Sequence, residues 1–170
     1  MSELEALRLA KDEFFVRDPQ SPLTTDQKAR FAGLEYFAED SDLRLEVFAE
    51  ALPDTMPVEL QASTGGVQFY ARRARFSFLV ENQHAQLTIF EGPNGLFIPF
   101  VDALAGQQTY PAGRYLEPNR LPGGRYLVDF NLAYNPYCAY NDNWSCPLTP
   151  FENRIKVPIR AGERIFRDPR

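Results

Sequence analysis

From residue 67 onward the chain alternates apolar and polar side chains. VQFYARRARFSFLV sets Phe76, Phe78 and Val80 on one face and Arg73 and Arg75 on the other, the period of a strand. HAQLTIFEG, LFIPF, RYL at 114–116 and RYLVDFNL at 125–132 read as further strands, and ENQ, GPNG and LPGG read as the turns between them. Upstream, RLEVFAEAL and PVELQAST alternate more loosely on either side of Pro53 and Pro57. In NRIKVPIRAGERIF, Ile155, Val157 and Ile159 oppose Lys156, Pro158 and Arg160, and Pro158 marks an edge strand or a bulge because it cannot donate to a ladder.

The first forty residues follow a different period. Ser2 and Glu5 make a capping box for a helix over 3–15. RDPQSP breaks it, and Thr24 or Thr25 caps a second helix over TDQKARFAGLEYF. No helix separates successive strands after residue 60, which rules against a parallel sheet. The pattern predicts a mainly β fold, an antiparallel barrel or sandwich-like sheet with two N-terminal helices. A chain of 170 residues is one domain, with a helical segment at 1–38 and a β domain at 43–170.

A net charge of −5 argues against a nucleic-acid partner. The longest apolar run, LFIPFVDALAG, is too short to cross a membrane, and the charged N-terminus has no apolar leader; a cytoplasmic protein is expected. Nothing in the pattern speaks to oligomeric state. Aromatic residues reach 14%, enough both to fill a core and to line a small-ligand pocket. Their oddest concentration is at 129–154, DFNLAYNPYCAYNDNWSCPLTPFENR, with both cysteines, the only tryptophan and five of the eight asparagines.

KDEFF, SPL, RFAGLEYF, LFIPF, TYPAGRYL, DFNLAYNPYCAY, SCPL and ENRIKVPIRAGE occur in that order. Together they resemble the bacterial and archaeal domain-of-unknown-function family numbered sixteen eighty-four, over roughly residues 11 to 165. The resemblance implies a fold neighbourhood and motif positions but no reaction. Thr149 stands where that family often has a second proline, and Leu104 where a threonine follows Asp102. The second departure weighs against Asp102 as a site residue.

Eight side chains are candidates for a ligand site. Asp129 and Asn131 share a strand face with Arg125 and Leu127, where they can line a barrel mouth or tie down a neighbouring loop. Tyr134, Asn135 and Tyr140 lie in a loop that also holds Tyr137 and Trp144, and that loop reads as a lid braced by its own rings and asparagine turns. Arg114 suits a carboxylate or phosphate, or a salt bridge to Asp129 or Glu152. Glu152 can pair with Asp129 as general acid and base, or accept backbone hydrogen bonds within its own loop. Asn153 completes the set through the EN motif.

Cys138 and Cys146 have seven residues between them. A disulfide there is worth roughly 2.5 to 3 kcal/mol in an oxidising compartment, and reduced thiols are expected in the cytosol. The spacing is not a usual zinc spacing and the sole histidine, His84, sits in a distant hairpin, so no metal is expected. No known cofactor motif occurs, and the cofactor is left open. The leading expectation is a small-ligand protein whose pocket the 129–154 segment closes. The alternatives are an enzyme, a hydrolase or flavin split-barrel-like protein using Asp129, Glu152 or a cysteine, and an interaction module that pairs through the edge at 155–160.

Overall fold

A computed structural model describes residues 1–53 and 57–169. The long alternating run forms strand β4 (Val67–Val80), and it turns at Glu81 and Asn82, both at positive φ, into β5 (Gln83–Gly92). A second tight turn leads to β6 (Gly95–Phe100), and β7 (Arg114–Leu116) adds to it. On the other side of β4 lie β2 (Glu50–Ala51) and β3 (Val58–Gln61), completing a six-stranded antiparallel sheet in the order β2-β4-β5-β6-β7 with β3 also on β4. A bulge at Arg73 shifts the register between Arg72 and Ala74.

A three-stranded sheet, β1 (Arg44–Phe48), β9 (Arg125–Asp129) and β8 (Asn119–Leu121), faces the first. The inward faces share one core: Val47 and Val128 from the small sheet meet Phe76, Phe78, Leu87, Ile89, Ile98 and Phe100 from the large one. The sheets do not close into a barrel; sandwich-like packing is the form the pattern takes. Strand β8 was not predicted, and RLEVFAEAL splits between the two sheets.

Helix α1 (Glu3–Arg17) starts at the predicted Ser2–Glu5 capping box. Helix α2 (Thr25–Arg30) is capped by Thr24 and is shorter than the 25–37 expected. It stops because Gly33 adopts a φ of +103 and the Leu34 amide donates to Asp12 Oδ1 at 3.0 Å, so the chain leaves the helix to meet α1. Phe15 of α1 packs with Leu23 and Tyr140, edge-on to the Tyr140 ring.

The expected strand at 155–160 is a correction. Its alternation is real, with Val157 and Ile159 buried and Lys156 and Arg160 exposed. Yet it forms no ladder: Ile155 N donates to Val101 O, Ala103 N to Val157 O, and Ile159 N to the Asp102 carboxylate at 2.8 Å. The segment is an extended strap held to 101–103 by backbone bonds and by the Asp102 carboxylate, in place of the expected edge strand.

Candidate functional site

The eight candidates are distributed over four places. Strand β9 ends at Asp129 because its carboxylate accepts from Asn131 N at 3.0 Å and turns Phe130–Leu132 into a 3-10 turn. Asn131 thereby leaves the expected strand face, is buried, and exchanges hydrogen bonds with the backbone N–H and C=O of Asp40. Asp129 itself lies 3.7 Å from Arg44.

Glu152 and Asn153 sit against β5. Asn153 is fully buried; it accepts from Thr88 N and donates to Thr88 O and Pro99 O, so it bridges β5 and β6. Glu152 accepts a fork from Arg72 at 2.7 and 2.9 Å and a bond from Thr88 Oγ1 at 2.8 Å. Burial pushes the Glu152 carboxyl up, but Arg72 and Thr88 outweigh it and hold the group below its ordinary value. A carboxyl depressed in the folded state stabilises fully above the unfolded carboxylate range, and that contribution fades as pH falls through the folded value. Both partners are partly exposed, so Glu152→Gln is expected to cost at most about 1 kcal/mol at pH 7. The gap to wild type should narrow in urea melts as pH falls below the ordinary carboxylate range; a gap constant with pH would refute the link.

Arg114, Asn135 and Tyr140 meet around Glu163, a buried carboxylate that the sequence reading did not single out. It takes Lys11 Nζ, Asn135 N at 2.8 Å and the Tyr140 hydroxyl at 3.1 Å. Burial, then Glu163, drives the Tyr140 hydroxyl well above its usual range, so it stays a donor. Arg114 is 1% exposed and donates to the carbonyls of Ala161, Glu163 and Ile159. Its nearby carboxylates are Asp102, at 3.8 Å, and Glu163, rather than the Asp129 or Glu152 considered from sequence. Asp102 also accepts from Thr109 Oγ1 at 2.7 Å, so a threonine seven residues on partners it.

Tyr134 shares a small groove beside α1 with Asn131 and Glu163, and it also lines an open cleft of about 300 Å³. A row of rings forms its wall. Tyr70 and Phe97 are 4.8 Å apart between centroids, Phe97 and Tyr115 meet edge-on at 5.8 Å, and Tyr115 and Tyr134 edge-on at 6.0 Å. Each hydroxyl is tied: Tyr70 to Gln68 Oε1 at 2.7 Å, Tyr115 to the Pro147 carbonyl, Tyr134 to the Glu117 carboxylate. Burial raises all three tyrosine pKa values, so the hydroxyls stay protonated.

Gly92 makes the row possible, since a Cβ there would fall 2.3 Å from the Tyr70 ring. Gln68, Asn94 and Glu117 supply the polar lining, and among the described residues no lysine or arginine lines the cleft. The signal in the sequence is a set of aromatics at 70, 97 and 115 on β4, β6 and β7, with Tyr134 bridged to Tyr115 and Gly92 across from Tyr70. Pro147 and Tyr134 are the contribution of the 129–154 segment.

The rest of that segment is braced as its composition suggests. Tyr137 and Trp144 pack edge-on at 5.1 Å, Asn143 N bonds back to Asn141 Oδ1, and the Trp144 indole and Asn141 amide both donate to Pro22 O. Among the described residues no three of His, Cys, Asp and Glu cluster as metal ligands, and no helix is long and apolar enough to cross a membrane.

A two-sheet β fold with two short N-terminal helices and an aromatic cleft at one margin of the larger sheet defines the class. The profile of a family described as "Protein of unknown function (DUF1684)" matches residues 29–164, and the chain belongs to that family. It is also similar to an uncharacterized protein of Haloarcula marismortui solved by solution NMR, at 38% identity and a TM-score of 0.72 over 95% of this chain and 92% of that one. A comparison with curated proteins gave no match. Neither description names an activity.

Proposed function

We propose that the protein binds a small, ring-bearing ligand, neutral or cationic, in the cleft walled by Tyr70, Phe97, Tyr115 and Tyr134. The observation that carries this reading is the row of four rings whose three hydroxyls are held in place by Gln68, Pro147 and Glu117. Pre-fixed aromatic faces with a few polar groups are what a small-molecule site needs, because little side-chain freedom remains to be lost on binding. Glu117 as the lining carboxylate, with no cation among the described lining residues, disfavours an anion. Arg114 supports this direction too, since its fork is spent on three carbonyls. The unbridged thiols suit a reducing compartment such as the cytoplasm.

Titration with tyramine, a cationic phenol, and with benzoate, its anionic counterpart, tests the reading by amide NMR shifts. Tyramine should move the amides around Gly92, Tyr115 and Glu117 with millimolar affinity, benzoate weakly or not at all. Gly92→Ala, which forces the Tyr70 ring aside, should lower tyramine affinity at least about tenfold, or roughly 1.4 kcal/mol. Glu117→Gln should erase the preference for the cation. Shifts centred elsewhere on the protein, or equal binding of benzoate, would defeat the proposal.

A further inference from the structure

We propose that Cys138 and Cys146 form a reversible thiol–disulfide site, with Cys138 the attacking sulfur, Cys146 the resolving one, and a low-molecular-weight disulfide the co-reactant. The site is separate from any role of the cleft.

Geometry brings the two sulfurs together. The short 3-10 turn Tyr137–Ala139 presents Cys138, and its backbone N–H points at Cys146 Sγ at 3.3 Å. Cys146 is pinned on the far side: its N–H donates to Ser63 Oγ at 3.0 Å and its carbonyl accepts from Ser63 N at 2.8 Å. The Cys138 N–H is thus held at the Cys146 sulfur, and neither thiol is bridged.

The two differ in access, which assigns the roles; a backbone N–H reaches Cys146, and a hydroxyl reaches Cys138. Cys138 is partly exposed while Cys146 is buried. The Tyr110 hydroxyl lies 3.9 Å from Cys138 Sγ as a donor, and the Ser63 hydroxyl is a further one. The Cys146 thiol, followed by Tyr110 and Ser63, pulls the Cys138 thiol down to about 6 despite its burial. Donating to that sulfur, and being buried, raises Cys146 well above the usual thiol range, so it keeps its proton until Cys138 has reacted. Such a division between a nucleophilic thiolate and a protonated partner is what ordered disulfide exchange requires.

The step balances. The Cys138 thiolate attacks one sulfur of the small disulfide, that S–S bond breaks, and one small thiolate leaves, taking a proton from solvent. Cys146 then loses its proton and attacks Cys138 Sγ, expelling the second small thiol. Two protein thiols are oxidised to one disulfide and one small disulfide is reduced to two thiols.

Oxidised glutathione, added to the full chain, is the probe. Wild type should lose both free thiols, retain no glutathione, and recover both on adding dithiothreitol. Cys146→Ser should accumulate a glutathione adduct at Cys138, whereas Cys138→Ser should react at least tenfold more slowly at pH 6.5. Iodoacetamide labelling of Cys138 should be half-maximal near pH 6 in wild type, and Tyr110→Phe should move that midpoint upward. If wild type keeps both thiols or holds a stable glutathione adduct, the site does not exist. Should Cys146→Ser fail to fold, this wild-type result decides alone. Equal reactivity of the two single variants would overturn the assigned roles.

Discussion

Arg114→Met is expected to destabilise the protein by about 3–5 kcal/mol, even though the side chain it introduces has similar length and bulk. Arg114 was the candidate for gripping an anion, and its surroundings assign it a different task. Its two terminal nitrogens hold the carbonyls of Ala161, Glu163 and Ile159 at 2.6, 3.0 and 2.9 Å. Methionine leaves those acceptors without a partner and leaves the buried Asp102 without the cation 3.8 Å away. Burial pulls the guanidinium down to about 10 against the opposing pull of Asp102 and Glu163, a sign of how little water reaches it. For a chain of this length the melting temperature should fall by about 10 °C. Arg114→Lys keeps the charge but lacks the fork and should recover only part of the loss. Combined with Asp102→Asn, the Met variant should cost less than the sum of the two, because the stranded carboxylate is then gone. A melting temperature within two or three degrees of wild type would return Arg114 to the list of ligand groups.

Gly162→Ala should cost a comparable amount, about 3–5 kcal/mol, through sterics rather than charge. Gly162 has a φ of +77, and an added Cβ would fall 2.6 Å from the Ala133 carbonyl oxygen and 2.8 Å from that of Phe130. Both obstacles are backbone, so neither can swing away. Gly123 provides the control: its φ is also +77, but nothing lies within 4 Å of its would-be Cβ. Gly123→Ala should cost only about 1 kcal/mol, the backbone strain alone. Thermal melts that place the two variants level would show that Gly162 is not packed against the Phe130 and Ala133 carbonyls.

Local periodicity carried most of the fold. Phe76, Phe78 and Val80 point inward because a strand has a period of two, and the Ser2–Glu5 cap needs only its own four residues. The same reasoning overreached at 155–159. Alternation reports an extended backbone, and it does not say whether the partner is another strand or, as here, the carboxylate of Asp102. The site was legible only in its ingredients. Tyr134 was named because of its neighbours in sequence, yet it works with Tyr115, Phe97 and Tyr70, which share no segment with it. Gly92 reads as a turn residue, and its role under the Tyr70 ring follows only from the pairing of β4 with β5. Glu163 drew no notice since its partners Lys11, Asn135 and Tyr140 lie 152, 28 and 23 positions away.

That first separation has a temporal meaning. A ribosome makes Lys11 152 positions before Glu163, so the ion pair between them can close only once that whole stretch has been made. Helix α1 buries Phe15 against Leu23 and Tyr140, and Arg8, Lys11 and Asp12 tie it to Phe37, Glu163 and Leu34. Two of the helix's anchors, Tyr140 and Glu163, thus become available only late in synthesis. Contacts of such sequence separation raise the contact order and slow folding relative to local pairing.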